Sequence, residues 1–183
     1  TLLDLAVQRL SGGTLGFDAG GGWAAQGQVD ETLVQRWLQE PYFQQRPPKS
    51  TGRELFGAAD LERRLSELTA ADPGHSAADA LASLTALSAA AVAQDLTQGT
   101  LPLELLVAGG GSRNASLMRE LRRRCRGVRV RPLQELGIAD DQREALAFAL
   151  LAWWHHRRHP GSLPSVTGAP SPALLGVRAD PPG

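Results

Sequence analysis

Cysteine is all but missing from this sequence: Cys125 is the only one in 183 residues. An internal disulfide framework and a cysteine-clustered metal site are thereby excluded. A surplus of charge is missing too. Nineteen Lys and Arg balance nineteen Asp and Glu, which speaks against a dedicated nucleic-acid binder. The longest apolar stretch, Ala145 to Trp154, falls well short of the ~20 residues that a membrane span requires. No signal-peptide pattern is present, and the composition suits a reducing cytoplasm. There is no internal repeat with a period of roughly 20 to 50 residues. An initiator methionine is also lacking. Thr1 runs directly into the helix-like LLDLAVQRL, so the expectation is a part of a longer polypeptide.

What is present reads as helices first and strands later. Apolar residues at Leu2, Leu3, Ala6, Val7 and Leu10 recur with helical period, and Gly12-Gly13 ends that helix. A Gly-rich irregular stretch leads to Asp30, the predicted cap of a helix over 31–39 that Pro41 stops. Residues 41–56, with paired prolines, are expected as a loop. A helix is predicted over 58–68. A long Ala-rich helix then runs from Ser76 to about Gln98, with Asp79 completing an imperfect capping box. From there the period changes. LELLVA (103–108) and GVRVRPL (127–133) read as strands flanking a helix from Asn114 to Arg124. An apolar helix over 141–156 follows, and ALLGV (173–177) is a candidate third strand. Strand, helix, strand, helix implies an α/β fold with a parallel crossover. Two or three strands are few for so many helices, so further strands are expected upstream of Thr1.

The run LLVAGGGSRN (105–114) raises the main chemical question. A dinucleotide fingerprint needs glycine at its sixth position, where Asn114 stands, and an acidic residue about 20 positions on, which is lacking. A P-loop needs Gly-Lys-Ser/Thr, and Ser112-Arg113 stands there instead. Two readings remain open: a ligand lying against glycine backbone beside a helix N-terminus, or a sharp strand-to-helix turn. Lys49, Ser50, Thr51 and Arg53 in PPKSTGRE offer an anion or sugar clamp, or simply a rigid surface loop. Asp140, Asp141 and Glu144 offer carboxylates aimed into a cleft, or ordinary charges at a helix start. His155 and His159 in HHRRHP lack a third ligand, so a basic helix end is the simpler reading. The arginine run of RELRRRCRGVRVR lacks interleaved aromatics and reads as a solvated face.

Taken together, five ordered stretches resemble one family. WAAQGQV, PYFQQRPPKSTGRELF, VAGGGSRNASLM, LGIADDQREALAFALLAW and GSLPSVTGA through LLG are similar, in order and spacing, to the C-terminal part of the anhydro-N-acetylmuramic acid kinases. The resemblance implies a partial ribonuclease H-like lobe of the actin-like ATPase superfamily. All of 1–183 would be an incomplete C-terminal lobe, with a helical and loop insertion at about 11–75. It implies ATP and Mg2+ as cofactors and an amino sugar as substrate, in the cytoplasm, with no nucleic acid or membrane partner. The remainder of the kinase polypeptide, an N-terminal lobe, would be the partner, and a homodimer is the implied assembly.

For the residues, the resemblance implies that Gly109, Gly110, Gly111 and Asn114 lie under the adenosine. Glu144 would line the sugar site, and Lys49, Ser50, Arg53 and Thr167 fall in motifs placed at the cleft. The family's phosphate loop and its Asp-Thr-Gly-Pro-Gly-Asn segment, which carries the expected general base, are not in this sequence, so no catalytic residue is assigned to it. Small residues after Asp18, where the family tends to have charged ones, leave the role of Asp18 open. Rival readings are a non-catalytic nucleotide-binding or structural lobe and a different sugar kinase of the superfamily.

Overall fold

A helix that is apolar on every side is stable only when other elements surround it, and that requirement organises this fold. In the computed structural model, which describes residues 2–98, 100–139 and 142–179, helix α5 (Ala77–Leu96) is that centre. Ala80 to Leu87, Ala89 and Ala90 are all buried. Around them pack α1 (Leu2–Leu10), α2 (Glu31–Leu38), a 3-10 turn at Ala24–Gln26 and α6 (Ala115–Arg124). By length and composition alone α5 is the one helix among the described residues that would span a membrane, yet 56% of its apolar window is buried.

The start of α5 is fixed by a complete capping box. Ser76 Oγ accepts from the Asp79 N–H at 3.1 Å, and the Asp79 carboxylate accepts from the Ser76 N–H at 2.7 Å. Aspartate serves here in place of the longer glutamate because its carboxylate also accepts the Gln28 N–H at 2.6 Å. These bonds from the Gln28 and Ser76 backbone hold the Asp79 carboxyl below its ordinary range. They also draw the Gly-rich segment onto the first turn of α5. A Cβ at Gly27 would lie 2.0 Å from the Ala78 carbonyl oxygen, so this approach requires glycine.

The expected face of α2 is the one observed: Leu33, Val34, Trp37 and Leu38 are buried, and the Asp30 side chain caps Leu33 N–H at 2.9 Å. Pro41 behaves differently from expectation. The chain does not stay a loop there; Pro41 opens a short helix, α3 (Pro41–Gln44). Proline fits a first helical position because the N–H it lacks would have had no partner anyway. α3 delivers Phe43 into the core, where Tyr42, Phe43 and Phe56 form an aromatic group with centroids 5.3 to 5.6 Å apart.

Helix α4 (Ala58–Ala71) extends beyond the predicted Leu68. It places Leu61, Arg64 and Leu68 inward. Arg64 is fully buried, and such a charge is tolerable only when paired. Asp60 at 2.9 Å and Glu40 at 2.7 Å supply the pairing, and its guanidinium lies 5.0 Å from the Trp37 ring. Beside it, burial pushes the Glu67 carboxyl up. Hydrogen bonds from Trp37, Arg36 and Arg63 outweigh that and hold it at about 2.

Strands β1 (Glu104–Val107) and β2 (Arg129–Pro132) pair in parallel with Leu105 opposite Val130, joined through α6. Leu105 and Val107 pack on a second small core of Ala89, Met118, Leu121, Cys125 and Val130. Burial pushes the Cys125 thiol up, so it packs rather than reacts. The predicted third strand is not formed: residues 173–177 have no ladder partner, and Val177 is 96% exposed. Their backbone bonds locally instead, with the Gly161 N–H donating to the Ala173 carbonyl and His155 Nδ1 lying 2.9 Å from that of Leu175. The last helices are α7 (Arg143–His156) and α8 (Pro164–Thr167). Asp140 and Asp141 lie outside the described residues.

Two outcomes test this account. Gly27→Ala should lower stability by about 1–3 kcal/mol in denaturant unfolding, because backbone, not a side chain, blocks the new methyl. Glu67→Gln should destabilise at pH 7. The depressed Glu67 pKa contributes stability above its ordinary carboxylate range and loses it as pH falls towards about 2. Thermal melts of both proteins should therefore converge between about pH 4.5 and pH 2; a difference constant over that window would contradict the assignment.

Candidate ligand-binding site

The turn between β1 and α6 is built from three glycines with three different reasons. Gly109 has φ +73°, the left-handed region in which glycine is unstrained. Gly111 faces its own helix, where an added Cβ would lie 3.3 Å from Leu117 Cδ2. Gly110 has neither constraint: its φ is not left-handed, and a Cβ there would meet nothing within 4 Å. Neither backbone geometry nor packing explains a glycine at 110. What its bareness leaves is an open strip of backbone, over which a flat ligand has room to lie.

The strip is held from below. Residues Gly109–Arg113 form a 3-10 turn, and Ser112 Oγ donates to the Gly109 carbonyl at 2.8 Å. Asn114 then caps α6, its side-chain oxygen accepting the Leu117 N–H at 2.9 Å. Asn114 therefore sets the end of the turn and the start of the helix whose N-terminal dipole favours negative charge.

A second glycine segment, invisible to sequence reasoning as part of this site, abuts the same cap. Both oxygens of Asp18 accept backbone N–H groups, Trp23 at 2.8 Å and Ala24 at 2.9 Å. That answers the open question about Asp18: it folds the loop 18–24. The loop turns through Gly20 and Gly21, with φ +65° and +74°. A Cβ at Gly21 would lie 2.1 Å from Asn114 Oδ1, and the Gly21 carbonyl accepts from buried Ser116 Oγ at 2.7 Å. The signal that could have found this contact is the run AGGG itself, since consecutive glycines permit both left-handed backbone and close approach of a neighbouring segment.

The other expected residues are placed as follows. Lys49 is almost fully buried, its ammonium 2.8 Å from Asp95 and 5.0 Å from the Tyr42 ring centroid. Its charge is thus spent tying the 45–56 loop to the end of α5, where the Gln94 side chain also donates to the Phe43 carbonyl. Ser50 and Arg53 are exposed on that loop. Thr167 ends α8, donating to the Leu163 carbonyl at 3.1 Å. The two segments are neighbours, since a Cβ at Gly168 would lie 3.6 Å from Pro48 Cγ. The structure therefore brings the Lys49 loop and the Thr167 turn together, as it brings Gly109–Gly111 and Asn114 together. Glu144 stands apart on α7, its side chain 77% exposed and 3.3 Å from Arg143. His155 and His159 do not converge on a metal: His155 meets the Leu175 carbonyl and His159 packs on Trp154. Among the described residues no three His, Cys, Asp or Glu form a metal-holding group.

Chemically, the glycine turn offers bare backbone beside a helix N-terminus, and the Glu144 carboxylate stands apart from it on α7. Comparison with known proteins covers nearly the whole chain. The family model described as anhydro-N-acetylmuramic acid kinase matches residues 1–180. A protein named anhydro-N-acetylmuramic acid kinase from Synechococcus sp. (strain WH7803) is 59% identical over 99% of this chain and 47% of its own length. One of that name from Prochlorococcus marinus (strain MIT 9303) is 58% identical over 99% of this chain and 48% of its own. The chain thus spans about half the length of the curated relatives it matches. With the family model matched over residues 1–180, the chain belongs to the anhydro-N-acetylmuramic acid kinase family.

Proposed function

We propose that these residues form the C-terminal part of a two-lobe kinase of the actin-like ATPase superfamily. The full-length protein uses ATP and Mg2+ to open the 1,6-anhydro ring of anhydro-N-acetylmuramic acid. Water adds at C1, the C1–O6 bond breaks, and the γ-phosphoryl group passes to O6. The products are ADP and N-acetylmuramic acid 6-phosphate, and the setting is cytoplasmic cell-wall recycling. The observation that carries the reading is the family match over 1–180, and the bare backbone at Gly110 between β1 and α6 is consistent with it.

The residues fit adenosine. The backbone of Gly109, Gly110 and Gly111 forms its floor, and Asn114 keeps that floor in register with α6. ATP supplies the phosphoryl group; the chain's own part is to bind and orient. Mg2+ would supply charge neutralisation at the transferring phosphoryl group, and no described residue of this chain is assigned to hold it. Glu144 faces the sugar from α7. The Lys49 loop, through Ser50 and Arg53, and the adjoining Thr167 turn border the cleft, with Lys49 acting as the anchor that keeps the loop in place. The general base comes from the other lobe, and the protein works as a homodimer.

Two measurements follow. In the full-length protein, Gly110→Ala should raise the KM for ATP on the order of tenfold, about 1.4 kcal/mol, with little shift of the melting temperature, because the added Cβ meets nothing within 4 Å in this chain. In parallel Glu144→Gln should weaken sugar turnover and leave ATP binding intact. Unchanged kinetics in both variants would refute the site. Residues 1–183 alone should show no turnover of anhydro-N-acetylmuramic acid in a coupled assay, because phosphate loop and base are supplied elsewhere; steady turnover would overturn that division of labour.

A further inference from the structure

Helix α7 is apolar on opposite sides and bare on both. At about 100° per residue, Leu146, Leu150 and Trp153 share one side, and Phe148 stands across the helix from them. Phe148 is 70% exposed, and Leu146 and Trp153 are each 57% exposed. None of the residues of α7 is buried. Its formal charges, Arg143 and Glu144, sit in the first turn only. A helix of this composition belongs inside a core, as α5 does.

A second bare surface adjoins the strands. Leu105 and Val130 point into the small core, whereas Leu106 on the other face is 37% exposed. Parallel strands are found almost only with both faces covered, and a two-stranded sheet is marginal alone. Relatives are about twice as long as this chain, which spans 47–48% of them. Enough polypeptide therefore exists in the family to cover both surfaces.

We propose that α7 and the open face of the β1–β2 pair are the docking surface for the half of the full-length polypeptide that these residues do not include. The docked segment buries Leu106 on the sheet and both sides of α7, so that α7 becomes an interior helix. A second copy of this chain is the competing occupant, told apart by protection that appears in the chain alone and grows with its concentration. The proposal rests on the reading that the complete protein holds a second half, and it makes Glu144 part of a surface set by that half.

The test compares this chain with the full-length polypeptide carrying it. Phe148→Cys and Leu150→Cys, made separately, report the two sides of α7 by maleimide labelling; Cys125 is buried. Both positions should label readily in the chain and on the order of a hundredfold more slowly in the full-length protein. Hydrogen exchange of the α7 amides in the unsubstituted proteins should show the same contrast, which guards against a variant that folds poorly. Equal rates in the two proteins would overturn the proposal, as would protection of one side only. Protection that appears in the chain alone and grows with its concentration would overturn it in favour of self-association. Activity is not the readout. A protected but inactive full-length protein refutes the kinase reading and leaves the docking surface standing; an active, unprotected one does the reverse.

Discussion

Complete burial of α5 is the constraint on which the rest of the fold depends. A 20-residue helix with almost no polar face has to be enclosed, and each neighbouring element is recruited to part of its circumference. Enclosure by packing alone leaves the helix free to slide along its axis. Ser76 and Asp79 remove that freedom, because the Asp79 carboxylate is bonded both to its own helix and to Gln28. The Gly-rich segment is thereby placed against the first turn, at a distance only Gly27 permits. One carboxylate converts non-directional hydrophobic enclosure into a defined register.

From that register the candidate site follows. α6 lies along α5, and its cap, Asn114, is wedged against Gly21 while Ser116 holds the Gly21 carbonyl. At the other end of α6, Glu31 from α2 meets Arg124 at 2.8 Å and also pairs with Arg123. These exposed pairs contribute little individually, but with Glu120 they form one network between two helices. The glycine strip is therefore referenced at both ends of α6 to the helical core. A turn fixed at both ends in this way is preorganised, which is what low-cost ligand binding would need.

Whatever is decided by neighbours within a few residues was legible in the sequence. The apolar face of α2, the cap at Asp30, the helix start near Asn114 and the strand–helix–strand order all depend on local spacing. Three features were not legible, for one shared reason. Pro41 reads as a stop and acts as a first helical residue, because Phe43 has a core to enter. The ALLGV segment has strand composition but no strand beside it, so its carbonyls serve Gly161 and His155 instead. Lys49 looks like a free cation and is buried against Asp95, a partner 46 residues away. In each case a contact distant in sequence decided the outcome.

Residue choices that nothing nearby explains carry a different kind of information. Helices α5 and α7 are both apolar all round, yet one is enclosed and the other is bare. Gly109 and Gly111 have local reasons to be glycine, and Gly110 has none. Where local physics accounts for a residue, the residue says nothing about what lies outside the chain. Where it does not, the two proposals made above supply a reason: a ligand lying on the bare backbone at Gly110, and a polypeptide packed on the apolar sides of α7. Size separates the two. A single absent Cβ makes room for the face of a small molecule, while four large exposed side chains, Leu146, Leu150, Trp153 and Phe148, on two sides of a helix call for a folded segment to receive them.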